Sequence, residues 1–246
     1  MHTATAATAS ASAPSSEQAL ALVQSTSLTR LVAESIEDLV LAGDLPPGHK
    51  LNEIALAQRF GTSRGPLREA LRLLEETGLI RQEKNRGAHV RIIPLSEAAD
   101  LYDVRAGLDA AAGRLLAERI TPEQLRTLRD MTEAMKAVPP DAVDRFHELN
   151  LGFHDCIVNM TGNPVLCDQY RRLTKLLALF RRRNLLTPMA IPHFADEHSA
   201  IVDLLAARNG PGVAEALFAH AQGGRQRMLH DGELAAAQAH DDTTVR

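Results

Sequence analysis

One stretch constrains this 246-residue chain more than any other: Thr62-Ser63-Arg64-Gly65-Pro66-Leu67-Arg68-Glu69-Ala70-Leu71-Arg72-Leu73-Leu74-Glu75. Leu67, Ala70, Leu71 and Leu74 recur at the spacing of one buried helical face. Arg64, Arg68 and Arg72 repeat every four residues, a drift of only about 40° per step on an α-helix, so they form one basic ridge away from that face. Ser63 or Thr62 can cap the first amides, and Pro66 in the first turn loses no hydrogen bond. A helix start flanked by outward arginines suits phosphates and guanine edges. A charged solvated face is also the ordinary fate of arginines on any helix, so the neighbouring segments decide.

Those segments are informative. A helical pattern runs from about Ser27 to Ala42 with Leu28, Leu31, Val32, Ile36, Leu39 and Val40 as its apolar set, and Gly43 and Pro46-Pro47-Gly48 end it. A short helix is expected from about Asn52 to Phe60, built on Ile54, Leu56, Ala57 and Phe60. Gly61 breaks it, and the arginine-striped helix follows after a short turn, which is the helix-turn-helix arrangement. After Gly78, two strand-like runs flank the basic turn of Lys84-Asn85-Arg86-Gly87, a hairpin signal that beside a helix-turn-helix predicts a wing.

Residues 25–93 therefore resemble the winged helix-turn-helix domain of the GntR family of bacterial transcription regulators. The resemblance is carried by Leu45-Pro46-Pro47-Gly48, Leu51-Asn52-Glu53, Leu56-Ala57, the Ser63-to-Leu71 run, Gly78-Leu79-Ile80 and Arg86-Gly87-Ala88-His89-Val90. It implies that Ser63, Arg64 and Arg68, with Arg72 on the same ridge, meet DNA in the major groove, and that Arg86 and Gly87 form the wing tip at the minor groove. Gly65 stands where many relatives have a threonine, leaving only a backbone amide for phosphate.

Composition bounds the rest. Aromatic residues make up only 3% of the chain, so its core must be built from Leu, Ala, Val and Ile, as packed helices allow. No apolar run approaches the roughly 20 residues of a membrane helix. Residues 1–24, rich in Ala, Ser and Thr, read as a disordered arm and not as a signal peptide. Cys156 and Cys167 form no framework, which favours the reducing cytoplasm. Residues 25–93 carry 10 Lys/Arg against 9 Asp/Glu, so bulk charge would not reveal a DNA binder, and the focused ridge has to do so.

From Ser96 the pattern is helical throughout. Helices are expected near 96–119, 122–137, 141–160, 164–186, 191–208 and 211–230, with Pro94 and the candidate cap Ser96 marking the join and residues 231–246 a flexible tail. Three of these helices place polar groups among their apolar stripes. Asn150 and His154 accompany Val143, Phe146, Phe153 and Ile157. His198 accompanies Phe194, Ile201, Val202 and Leu205, and His220 accompanies Val213, Leu217 and Met228. A single inward histidine is ordinarily a hydrogen-bonded core residue. Three at once are satisfied together by a shared metal ion.

Residues 96–230 are also similar to the FCD ligand-binding domain of the FadR-like branch of GntR regulators, with six helices closer to the VanR-like subgroup. The resemblance implies a divalent cation held by Asn150, His154, His198 and His220, and Arg105 facing a small carboxylate effector. Asn150 stands where a carboxylate is common, so the site would keep the full charge of its cation. Imidazole-rich ligation favours zinc, nickel or manganese over magnesium and calcium. His193, Asp196 and Glu197 crowd His198 but are expected to point mostly elsewhere, and His147 is expected to be solvated or to support the cluster from outside. Arg171-Arg172 and Arg181-Arg182-Arg183 are expected on a solvated or dimer-edge face.

The expected protein is mainly α: a winged helix-turn-helix domain followed by an all-α helical bundle. Its expected function is a homodimeric, cytoplasmic regulator, with repression the expected direction, whose binding to double-stranded operator DNA responds to a small organic acid. Two other classes compete. A metal-dependent hydrolase or hydratase could use three histidines, but it leaves the winged helix without a purpose. An architectural DNA-binding protein leaves the inward polar groups unexplained.

Overall fold

The computed structural model describes the backbone of residues 16–139, 141–183 and 191–244, and side chains from residue 27 onward apart from 140, 182–195, 231 and 233–246. The first domain comprises α1 (Ser16–Ala42), β1 (Lys50–Leu51), α2 (Glu53–Arg59), α3 (Arg64–Glu76), β2 (Ile80–Glu83) and β3 (Gly87–Val90). The second comprises α4 (Leu95–Arg119), α5 (Pro122–Lys136), α6 (Val143–Met160), α7 (Pro164–Arg183), α8 (Ile191–Ala206) and α9 (Gly210–Thr244).

The first domain is a winged helix. Asn52 caps α2 by accepting from the amides of Ile54 and Ala55 at 3.0 and 3.2 Å. In α3, Leu67, Ala70, Leu71 and Leu74 are buried, as their spacing requires. The hairpin β2–β3 pairs antiparallel, and its three-residue connection uses positive φ at Asn85 (68°), followed by Gly87 (83°) at the start of β3. Gly87 adopts that conformation without the Cβ clash other residues would meet. A third strand, β1, adds Lys50 opposite His89 and Leu51 opposite Ala88, giving the order β1-β3-β2. Two residues are too few to show alternation, so this strand has no sequence signature.

Several local expectations change. Residues 16–24, predicted as part of a disordered arm, belong to α1, which begins at Ser16; residues 1–15 lie outside the described residues. Glu, Gln, Ala and Leu, all good helix formers, make up most of residues 16–24. The tail expected from residue 231 is also helical as far as Thr244, where Glu233-Leu234-Ala235-Ala236-Ala237-Gln238-Ala239 supplies strong helix formers. The buried face of α1 is Thr29, Val32, Ala33, Ile36 and Val40, whereas Leu28 and Leu31 are exposed, as is Ile54 on α2. Ser63 occupies the N-cap of α3 without a side-chain cap bond. Pro94, not Ser96, is the N-cap of α4.

In the second domain α4 and α9 pack along the greatest length. At Gly113 a Cβ would lie 2.5 Å from both Val213 Cγ1 and Leu217 Cδ1, so these two helices meet backbone to side chain. Thr121 and Gln124 form a reciprocal capping box that starts α5 at Pro122. The two domains share one hydrophobic core. Val32, Ile36, Leu71 and Leu74 join Tyr102, Leu173, Leu176, Leu177 and Phe180 in one buried cluster. Helix α7 also makes polar contacts to the first domain: Arg172 donates to the carbonyl of Glu76, at the end of α3, and Lys175 pairs with Glu37 of α1.

Candidate nucleic-acid interface and metal centre

The outward face of α3 is set by the burial of its other face. With Leu67, Ala70, Leu71 and Leu74 in the core, Arg64, Arg68 and Arg72 are exposed, and so are Ser63 and Gly65. A Cβ at Gly65 would meet nothing within 4 Å, so this part of the helix start is open to a ligand backbone. Because Ser63 makes no cap bond, its hydroxyl and the first amides of α3 are available to a phosphate oxygen. The ridge is not uniformly free. Arg68 Nε donates to Glu53 Oε2 at 2.9 Å and Arg72 lies 3.5 Å from Glu69, both in exposed pairs of low intrinsic strength. At the wing, Arg86 and Gly87 are exposed and Arg86 Nη1 pairs with Glu83 at 2.9 Å.

The polar cluster of the second domain lies deep in the helical bundle. His154 of α6 and His198 of α8 are fully buried, and His220 of α9 is 9% exposed. One ring nitrogen from each falls within 4.8 Å of the others. His154 and His220 stack with centroids 5.0 Å apart, and His198 sits edge-on to His220 at 4.5 Å and to Phe153 at 4.9 Å. Asn150 joins the cluster through its Oδ1, 2.8 Å from His198 Nε2. The four residues predicted from helical phase therefore converge. Phe194 and His193, both expected near His198, lie outside the described side chains.

Two carboxylates extend the cluster. Asp109 of α4, completely buried, places Oδ1 3.6 Å from His154 Nδ1 and accepts from Arg105 Nε through Oδ2 at 3.1 Å. The sequence reading missed it. Its signal was its position four residues after Arg105, inside the Tyr102, Ala106, Ala112 and Gly113 face of α4. Glu197 was expected to point elsewhere, yet its Oε2 lies 2.6 Å from His220 Nδ1. The neighbouring helix α9 brings His220 to it, which the angle on α8 alone does not reveal. A carboxylate held at one ring nitrogen is the arrangement that orients imidazole ligands.

The electrostatics favour a neutral imidazole at His154. Burial holds His154 down at about 4, against the opposing pull of Asp109. Burial also raises the cost of an ionised Asp109, but Arg105 and then His154 bring its carboxyl below the ordinary value. Both ring nitrogens of His154 and Oδ1 of Asp109 are buried without a hydrogen-bond partner. Buried polar atoms are ordinarily satisfied. The unpartnered ring of His154, with a ring nitrogen of His198 and one of His220 brought close to it from two other helices, fits a divalent transition metal.

Arg105 is 4% exposed and paired with Asp109, so the arginine expected to face an effector already has one carboxylate of its own. Its Nη2 remains without a partner, as does Tyr170 Oη close by. Burial opposes its charge, but the neighbouring Tyr170 and Asp109 keep it above the ordinary arginine range. Two residues expected on solvated faces are half-buried. His147 is held at about 4 by burial and then by Arg181 and Arg105. Arg181 is lowered by burial and sits against Tyr102 and Arg105. Arg171 follows its expectation, exposed beside Asp155 and Asn159.

Residues 28–90 match the family of bacterial regulatory proteins named gntR, and residues 100–223 match the FCD domain. The chain is 30% identical to the Nta operon transcriptional regulator of Aminobacter aminovorans, over 72% of this chain and 82% of that one. It is 27% identical to the transcriptional repressor RspR of Escherichia coli strain K12, over 72% of this chain and 78% of that one. The fold is similar to that of E. coli McbR/YncC, with a TM-score of 0.65, 20% identity and coverage of 82% of this chain and 97% of that one.

Proposed function

Because the chain belongs to the GntR family and joins its DNA-binding domain to an FCD domain, we propose that it represses transcription from a near-palindromic operator under control of a small organic acid. It is a DNA-binding transcriptional regulator and not an enzyme, as are its relatives. The observation that carries the regulatory reading is the position of α7. Tyr170 faces the buried polar cluster, while Arg172 of the same helix holds the last carbonyl of α3.

In this reading Asn150, His154, His198 and His220 hold a divalent zinc, nickel or manganese ion. When bound, that ion supplies a positive centre to which a carboxylate can bind. Asp109 and Glu197 orient the rings of His154 and His220, and Arg105 directs its unpartnered Nη2 at the acid. A ligand lodged between α4, α6 and α7 shifts their packing. Because α7 grips both α1 and the end of α3, that shift alters how the ridge helices of a homodimer are spaced on successive major grooves. The coupling between acid and operator has an expected size of about 1–3 kcal/mol.

Ser63, Arg64, Gly65, Arg68 and Arg72 would meet the major groove and Arg86 and Gly87 the minor groove. Footprinting on the chain's own upstream DNA tests this. Arg68→Ala should abolish the specific footprint while leaving acid-induced thermal shifts intact. A retained footprint would remove α3 as the reading helix.

A further inference from the structure

The strand β1 that joins the wing hairpin sets a row of basic side chains across the sheet. Lys50 of β1 lies opposite His89 of β3, and Arg81 of β2 lies opposite His89 on the other side. Their chain neighbours Leu51, Ile80, Ala88 and Val90 are buried in the core of the domain. Successive side chains on a strand point to opposite faces, so Lys50, His89 and Arg81 stand together on the outer face. Neighbouring strands are about 4.8 Å apart, which makes the row roughly 10 Å wide. Arg81 and His89 line a concavity of about 570 Å³ that runs from Arg86, in the turn of the wing, to Glu97 in the first turn of α4. Lys50 reaches the wing tip from the edge strand, since a Cβ on Gly87 would lie 3.8 Å from Lys50 Cε. His89 leans the same way, with Nδ1 3.2 Å from the carbonyl oxygen of Gly87.

The two carboxylates that line this concavity are already engaged. Glu83 pairs with Arg86 at 2.9 Å and Glu97 with Arg91 at 2.5 Å. Lys50 and Arg81 are exposed and, among the described residues, take part in no ion pair; the same holds for Lys84 in the turn of the wing. Positive charge without an internal partner is therefore continuous from the wing tip onto the outer face of the sheet. A lysine on an edge strand can serve only to keep the edge from pairing. That role does not call for Arg81 in the same row, nor for a Lys50 side chain laid toward Gly87.

We infer that the outer face of the wing sheet is a second DNA backbone contact, in which Lys50 and Arg81 hold phosphates of the duplex beside the minor groove and His89 lies between them. This rests on the reading that Arg86 and Gly87 sit at that groove. It extends the interface from the hairpin tip to the sheet and brings in β1, a strand outside the hairpin. Phosphate contacts fix orientation and add affinity without selecting sequence. Each phosphate neutralised releases counterions and adds about 0.9 to the slope of log affinity against log salt. A homodimer carries every contact twice, so one lost charge per chain lowers that slope by about 1.8.

The test measures binding of the full-length protein to a fragment of its own upstream DNA and to a random-sequence duplex across a salt series. Lys50→Gln and Arg81→Gln should each lower the slope by about 1.8 and weaken both duplexes by a similar factor, on the order of tenfold. Lys50→Arg should keep the slope of the unaltered protein. So should Arg126→Gln, which removes an exposed arginine from α5. Ethylation interference on the upstream fragment should lose the phosphates beside the wing's minor groove in both Gln variants. An unchanged slope in either Gln variant overturns the inference, as does an equal loss in Arg126→Gln. A loss confined to the upstream fragment also overturns it, because a backbone contact does not read sequence. Arg86→Gln in the same series separates the two readings. If it alone lowers the slope, the wing tip still meets DNA and the sheet does not; if none of the three wing variants does, both readings fall.

Discussion

Arg91, just beyond the last strand of the wing, grips both carboxylate oxygens of Glu97 in the first turn of α4, at 2.5 and 2.7 Å. The same guanidinium donates to the carbonyl of Gly78 at 3.2 Å, just after the reading helix ends. One side chain thus ties the wing, the end of α3 and the start of the second domain together. Nη2 alone reaches both oxygens of Glu97 while Nη1 is held by Gly78, and the pair is only partly exposed, with side-chain exposures of 26% and 33%. Holding two nitrogens of one guanidinium on two different elements resists rotation between them as well as separation.

Glu97→Gln should therefore loosen the joint more than it unfolds the protein. The expected stability loss is about 1 kcal/mol, read by chemical denaturation. Operator affinity without effector should change little, whereas the shift produced by a bound acid should shrink several-fold. An undiminished shift in a gel-retardation titration would show that the joint carries no regulatory signal.

Asn150→Asp adds a negative charge 2.8 Å from the His198 ring in the Asn150 form. Metal affinity should rise by about tenfold or more, since an anionic ligand offsets part of the cation's charge. The same offset should weaken the binding of an anionic effector. Calorimetric metal titration of the two proteins checks the first effect. Unchanged affinity would mean that residue 150 does not touch the ion.

The metal-free protein should lose stability as pH falls from about 6.5 to about 4. His154 and His147 are each held at about 4 in the folded chain against an ordinary 6.5. Between those values the unfolded chain binds protons that the folded chain refuses, so acid favours unfolding. The contribution is complete above pH 6.5 and lost progressively down to 4. Asp109, whose carboxyl is depressed below 3.8, acts only under more acidic conditions. Thermal melts in chelator across this range should show the slope, and His147→Leu should reduce it.

Gly113→Ala should destabilise the second domain by about 1–3 kcal/mol, because the added methyl overlaps Val213 and Leu217 at 2.5 Å. That cost exceeds the roughly 1 kcal/mol that alanine ordinarily gains over glycine inside a helix. The companion change Gly107→Ala, where a Cβ meets nothing within 4 Å, should be neutral or stabilising. Denaturant melts of the two variants moving in the same direction would overturn the packing argument.

Much of the candidate metal centre could be read from helical phase. Asn150, His154, His198 and His220 each lie in the apolar stripe of their own helix, and a residue in that stripe must point at the core. The same logic placed Arg64, Arg68 and Arg72 outward, since Leu67, Ala70 and Leu71 claim the other face. It failed at Leu28, Leu31 and Ile54, where apolar residues lie on faces that the packed domain leaves uncovered. It failed again at Glu197, His147 and Arg181, whose surroundings are supplied by other helices.

The sequence by itself determined the reading helix, the wing hairpin, the helical second domain and its inward histidines, because each follows from periodicity along a single element. Tertiary structure alone decided that Asp109 stands beside His154 and that Glu197 meets His220. It also decided that α7 reaches the end of α3. The Asp109–His154, Glu197–His220 and Arg172–Glu76 contacts join residues on different helices, and their partners are set by how whole faces pack, which no local repeat encodes.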